Sequence, residues 1–172
     1  TVIEDVEVTN LNSIKEAINK IDTDLLNLVI NNAGLLRRTL LENMDEDTAQ
    51  LIKTQFEINA LGPVMVTSAL LPKLNEDSKV ALITSRMGSI EDNTSGSHYG
   101  YRMSKASLNA AGKSLALDLK PKGVPVAILH PGWIQTEMTG HTGNDTPDTA
   151  AGQLLERIDQ LNLDNTGTFW HA

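Results

Sequence analysis

Along the whole chain, short apolar runs alternate with stretches whose apolar residues recur every three or four positions. This alternation admits few folds. Parallel strands must be joined by crossover helices, and those helices then cover both faces of the sheet. The expected fold class is therefore α/β, a doubly wound parallel sheet of the Rossmann type with about four or five strands. Val6–Val8 reads as a strand edge. Asn10 can cap a helix from Leu11 to Ile21 that sets Ile14, Ala17, Ile18 and Ile21 on one face. Leu26–Ile30 is a buried strand running into Asn31-Asn32-Ala33-Gly34. Asp45 opens a helical stretch to Leu74, which Pro63 should break or kink just after Asn59. Val80–Thr84 is the next strand, followed by the polar loop Ser85–His98. A helix over Tyr99–Leu119, closed by Pro121 and Gly123, leads to a strand over Val124–Leu129 and then His130-Pro131-Gly132. Pro147 sits in the first turn of a last helix, and Gly167–Trp170 reads as a final strand. No internal repeat or second domain is visible, so residues 1–172 read as one domain.

Composition removes several classes of function. With 40% hydrophobic residues there is material for a substantial core, and with 3% aromatics that core must be aliphatic. A net charge of −8 repels phosphate backbones, so no nucleic-acid partner is expected. The absence of cysteine excludes disulfides, thiolate metal sites and cysteine nucleophiles, and the four histidines lack zinc-ligand spacing. No metal site is expected. The first residues have no basic segment leading into an apolar one, and no apolar run reaches membrane-spanning length. No membrane association is expected, and the expected location is cytoplasmic. Asn93-Thr94-Ser95 and Asn144-Asp145-Thr146 match glycosylation sequons, which without a secretory signal carry no weight.

The unusual sequences all follow strands: after Ile30, after Thr84 and after Leu129. Open parallel sheets place ligands beyond the carboxyl ends of their strands, so these three loops mark the candidate site. Tyr101 and Lys105 lie four apart at the start of a helix and share a face. A lysine ammonium beside a phenol favours the phenolate, which would lower the tyrosine pKa and let it exchange a proton with a carbonyl or alcohol oxygen. Ser85 follows a strand, where its hydroxyl could meet a substrate oxygen or simply close a turn. Asn59 precedes the Pro63 kink, where a water could be held, or where the side chain could simply act as a local cap. Gly112-Lys113-Ser114 imitates the end of a phosphate-binding loop but lies inside a helix and lacks the first glycine.

Taken together and in this order, the runs Asn31-Asn32-Ala33-Gly34, Asn59, Ser85, Tyr101-Arg102-Met103-Ser104-Lys105 and Pro131-Gly132-Trp133-Ile134-Gln135-Thr136 resemble the successive signatures of the short-chain dehydrogenase/reductase family. Thr84–Ile90 with Asp92-Asn93-Thr94 and Tyr99–Arg102 is most similar to its branch of sniffer-type carbonyl reductases and C-factor proteins. The resemblance implies an NAD(P)-dependent oxidoreductase that interconverts a carbonyl and an alcohol, with NADP favoured over NAD. It assigns Tyr101 as acid/base, Lys105 to the tyrosine pKa and the nicotinamide ribose, Ser85 to the reacting oxygen, and Asn59 to a water in a proton relay. It places Asn32, Ala33 and Gly34 on the adenosine side, and Pro131, Gly132, Ile134 and Thr136 near the nicotinamide. Glu7-Val8 best matches the pair that faces the adenine, with Asp5-Val6 the alternative register. It also implies a small-molecule carbonyl or alcohol substrate, and homo-oligomers formed through the helices near 46–74 and 99–119.

The family's opening strand, Thr-Gly-x-x-x-Gly-x-Gly turn and helix have no counterpart among the 172 residues. The chain therefore reads as a Rossmann domain lacking its N-terminal βαβ portion, and incomplete at its C-terminus too. A signalling or nucleotide-binding protein that keeps the fold without turnover is the alternative. The loops Arg86–His98 and Gly140–Thr146, short of apolar anchors, are expected to shape the substrate pocket and to be mobile.

Overall fold

The computed structural model describes residues Thr1–Ala172. Four strands, β1 (Leu28–Asn31), β2 (Lys79–Ile83), β3 (Val126–His130) and β4 (Phe169–His171), form one parallel sheet in the order β1-β2-β3-β4. Five helices lie between and beside them: α1 (Leu11–Asn19), α2 (Glu46–Phe56), α3 (Gly62–Leu70), α4 (Tyr99–Leu119) and α5 (Pro147–Gln160). Successive residues of a strand point to opposite faces, and two cores follow from that alternation. On one face, Val80 and Leu82 of β2 join Val29, Val126, Leu108 and Ala116 under α3 and α4. On the other, Ala81 joins Ala127, Leu129, Ile158 and Leu161 under α5. Each fully buried leucine in such a core contributes about 2 kcal/mol.

Local chemistry sets most helix ends. The Asn10 side chain accepts from the Asn12 and Ser13 amides, the Asp45 side chain from Thr48, and the Thr146 side chain from Thr149 ahead of Pro147. The break or kink expected from Pro63 takes the form of one wide turn. Residues Glu57–Leu61 form a π-turn, and α3 resumes at Gly62 with Pro63 at its start. Proline has no N–H to offer the carbonyl four residues back, and its ring would collide there. Inserting one wide turn lets the helix continue past it.

A second correction concerns Val6–Val8, which form no strand. Nothing pairs with this segment: the Glu7 amide bonds the Ser13 hydroxyl and the Glu7 carbonyl takes the Asn10 amide. The segment is a turn leading into α1, with Val8 packed against Gly62. No helix is long and apolar enough to cross a membrane.

Candidate active site

The carboxyl ends of β1, β2 and β3 deliver Asn31–Gly34, Ser85 and His130–Gly132 to one edge of the sheet, and the first turns of α4 deliver Tyr101 and Lys105 beside them. Tyr101, Lys105, Ser85 and Asn59 are all buried. The Lys105 ammonium lies 5.7 Å from the Tyr101 ring centroid and donates to the Ile83 carbonyl at 2.9 Å. That leaves two of its three N–H donors uncommitted within the protein. Ser85 caps the short turn Arg86–Gly88, its hydroxyl accepting from the Met87 amide at 3.1 Å.

Burial reverses the expected state of the tyrosine. Desolvation holds the Tyr101 phenol above its ordinary value of 10.0, and proximity to Ser85 offsets only part of the rise. Burial also lowers Lys105, from 10.5 to about 8. At neutral pH the pair is therefore a protonated phenol beside an ammonium, a proton-donating arrangement.

Asn59 is buried beside this pair and its side chain is fully engaged. Its Oδ1 accepts from the Leu35 amide at 2.7 Å, and its Nδ2 donates to the Leu35 carbonyl at 2.8 Å and to Ser104 Oγ at 2.9 Å. With both N–H groups used, a water held by this residue would have to donate to an oxygen, either Oδ1 or the backbone carbonyl. The side chain splints the β1 loop to α4, and Ser104 Oγ in turn donates to the Tyr101 carbonyl at 2.8 Å. Gln55, one turn earlier, accepts from the Arg37 amide and fixes the same loop further along.

The residues present can be tested against a nicotinamide ribose. A Cβ on Gly34 would stand 3.6 Å from Asn59 Oδ1 and 3.9 Å from Lys105 Nζ, so glycine keeps the space between them open. The two uncommitted Lys105 donors suit vicinal hydroxyls, and Gly132, at φ +90°, bares backbone at the end of β3. The fit holds for that half of a dinucleotide. Ile134 bridges Asp145, and Thr136 caps the turn Glu137–Thr139, so the segment near the expected carboxamide side is knit together. The exposed Glu7 carboxylate accepts from the Thr9 amide and hydroxyl, which hold it below the usual carboxylate range.

Sequence reasoning missed a cluster at the end of β3. His130 stacks on His171 of β4 with ring centroids 4.7 Å apart, and only a paired-strand register could have revealed it. Burial first, then the charges of His171 and Arg86, lower His130 from 6.5 to about 4 against the opposing Asp92. An unfolded histidine takes its proton near 6.5 while the folded one resists until about 4, so stability falls as pH drops through this window. The loss should stay below ~3 kcal/mol, because solvent screens part of the charge. His130→Phe keeps the stack and removes the proton site. Its stability, measured by urea denaturation from neutral pH downward, is expected to decline less; parallel curves would refute the assignment.

A parallel sheet whose strand ends converge on a buried tyrosine–lysine pair is the architecture of a nucleotide-dependent oxidoreductase domain, and the comparisons agree. Residues 1–159 match the family model described as enoyl-(acyl carrier protein) reductase. The chain belongs to the short-chain dehydrogenase/reductase family of oxidoreductases. It is 46% identical over 151 residues to C-signal of Myxococcus xanthus, covering 86% of this chain and 89% of that protein. It is 39% identical to 1-hydroxy-2-glutathionyl-2-methyl-3-butene dehydrogenase of Rhodococcus sp. (strain AD45), covering all of this chain and 77% of that one. Among solved structures, carbonyl reductase Sniffer of D. melanogaster superposes with a TM-score of 0.88 at 28% identity, over 97% of this chain and 73% of that one. An NADPH-bound carbonyl reductase from chicken fatty liver does so with a TM-score of 0.88 at 29% identity, over 99% and 74%.

Proposed function

We propose that this protein reduces the carbonyl of a small molecule to an alcohol, and runs the reverse reaction, with NADP(H) as its cofactor and Tyr101 as the proton donor and acceptor. The observation that carries the reading is the buried corner in which Tyr101, Lys105 and Ser85 meet at the carboxyl end of β2. A bound nicotinamide dinucleotide supplies the hydride. Ser85 donates a hydrogen bond to the reacting oxygen and fixes it beside the phenol. Tyr101, kept protonated by burial, passes its proton to that oxygen as negative charge develops there. Lys105 turns its free N–H groups to the ribose hydroxyls and its charge toward the phenol. Asn59 and Ser104 hold the β1 loop and α4 in register so that these groups stay together. NADP is preferred to NAD in this reading because the structural relative at 29% identity is an NADPH-bound reductase. Self-association through the helices near 46–74 and 99–119 belongs to the same proposal, supported by exposed Phe56, Leu61 and Leu71 on one stretch and Met103 and Leu117 on the other.

The 46% identity to C-signal favours one second reading, a signalling protein that binds the nucleotide without turning it over. NADPH titration by calorimetry, followed by a spectrophotometric assay of NADPH consumption with aromatic aldehydes and ketones, separates the two. Saturable binding with carbonyl-dependent consumption supports the reductase. Saturable binding with no consumption supports the second reading, and absence of binding by a protein that carries the family's glycine-rich turn removes both.

A further inference from the structure

We propose that Arg102 is a positioning residue that locks the 86–98 loop onto α4 and thereby sets the orientation of Ser85 and the rim of the substrate pocket. The role at Ser85 rests on the reductase reading; the lock itself does not. Three consecutive residues just before α4, Gly96, Ser97 and His98, have φ of +63°, +51° and +53°. For the serine and histidine such backbone costs roughly 1–2 kcal/mol each and persists only where the surroundings over-determine it. His98 is also the residue before the first turn of α4, and its side chain caps nothing.

Two clamps hold this left-handed turn. Fully buried Thr39 takes the His98 amide on its carbonyl at 2.9 Å and the Gly100 amide on its hydroxyl at 3.1 Å. Arg102, one residue beyond Tyr101, spreads its guanidinium over the loop. Nε donates to the Gly96 carbonyl at 3.3 Å, Nη2 to Ser95 Oγ at 3.0 Å and Nη1 to the Met87 carbonyl at 3.4 Å. The last contact reaches the site. The Met87 amide donates to Ser85 Oγ, so Arg102 holds from one side the residue that orients Ser85 from the other. Gly88 completes the lock, because a Cβ there would come within 2.7 Å of the Lys105 and Ala106 backbone and push the turn off the helix. A planar fork reaching three acceptors is something a lysine cannot reproduce.

The test uses Arg102→Met and Arg102→Lys with NADPH and 4-nitrobenzaldehyde as the probe, together with amide hydrogen exchange. Both variants are expected to exchange faster across Met87–His98 while β2 and β3 stay as protected as in wild type. Both should raise KM for the aldehyde about 10-fold, the equivalent of one charged hydrogen bond, with a smaller change in kcat and unchanged NADPH affinity. Loop protection equal to wild type, a wild-type-like Arg102→Lys, or a uniform loss across loop, strands, kcat and NADPH affinity would overturn the proposal. If the wild-type protein consumes no NADPH with the aldehyde, the reductase reading fails, and hydrogen exchange alone still decides whether Arg102 locks the loop.

Discussion

Tyr101→Phe is expected to lower kcat for carbonyl reduction by roughly 10²–10⁴-fold, the usual contribution of a positioned general acid, while folding and NADPH affinity stay close to wild type. The ring of Tyr101 packs in a buried environment that phenylalanine fills equally well, so the only loss is the hydroxyl. That hydroxyl pairs with Ser85, and burial keeps it protonated at neutral pH. Tyr99→Phe is the control. Tyr99 is 37% exposed, lies on another face of α4, and has Met103 where Tyr101 has Lys105. Steady-state kinetics of both variants decide the matter. Turnover retained in Tyr101→Phe and abolished in Tyr99→Phe would assign the proton to the wrong residue.

Lys105→Met is expected to have two separable consequences. The first is weaker NADPH binding, by about 10- to 100-fold, because charged hydrogen bonds to the ribose are lost. In the alcohol-oxidising direction the activity profile should also move to higher pH, since Tyr101 then ionises without a neighbouring ammonium. The second is a change in how stability depends on pH. The folded state holds Lys105 at about 8 against 10.5 in the unfolded chain. Below pH 8 both states are protonated and the cost of burying the ammonium, ~3 kcal/mol, is fully present. As pH rises from about 8 the folded state loses its proton first, so wild-type stability climbs. Above pH 10 the raised Tyr101 acts with the opposite sign, because the unfolded phenol ionises first. The useful window is therefore pH 8 to 10, where the wild-type curve should rise and the variant's stay flat. Calorimetric titration and urea denaturation measure the two effects, and an unchanged NADPH affinity with parallel stability curves would remove Lys105 from both roles.

The reading of α4 from sequence matches its observed span, Tyr99–Leu119, because helix periodicity and the Pro121–Gly123 stop are local signals. The caps at Asn10 and Asp45 and the start at Pro147 hold for the same reason. Strand ends are displaced by one or two residues: β3 is Val126–His130 where Val124–Leu129 was expected. A strand's ends depend on which neighbour it pairs with, and Val6–Val8, with no neighbour, forms none. At Pro63 the position of the disturbance was legible but its form was not, since the choice of a π-turn depends on α3 remaining packed against α1 and β1. The 86–98 and 140–146 loops, expected to be mobile for want of apolar anchors, carry polar contacts that sequence did not reveal. Arg102 and Thr39 hold the first, while Gln135 and the Ile134–Asp145 bridge hold the second.

The sequence by itself determined the α/β class, the helix faces, and the convergence of Asn31–Gly34, Ser85, Tyr101 and Lys105 at the strand ends. Those follow from residue periods of 2 and 3.6 and from the rule that parallel strands present their carboxyl ends together. Only the tertiary structure decided what these groups are bonded to and how they are charged. Asn59 became a splint between Leu35 and Ser104, Arg102 a clamp on the loop before its own helix, and Tyr101 a phenol held above its ordinary pKa beside a lysine pushed down to about 8. The physical reason is that desolvation and long-range hydrogen bonding depend on which atoms surround a group, and those neighbours come from elements distant in the chain.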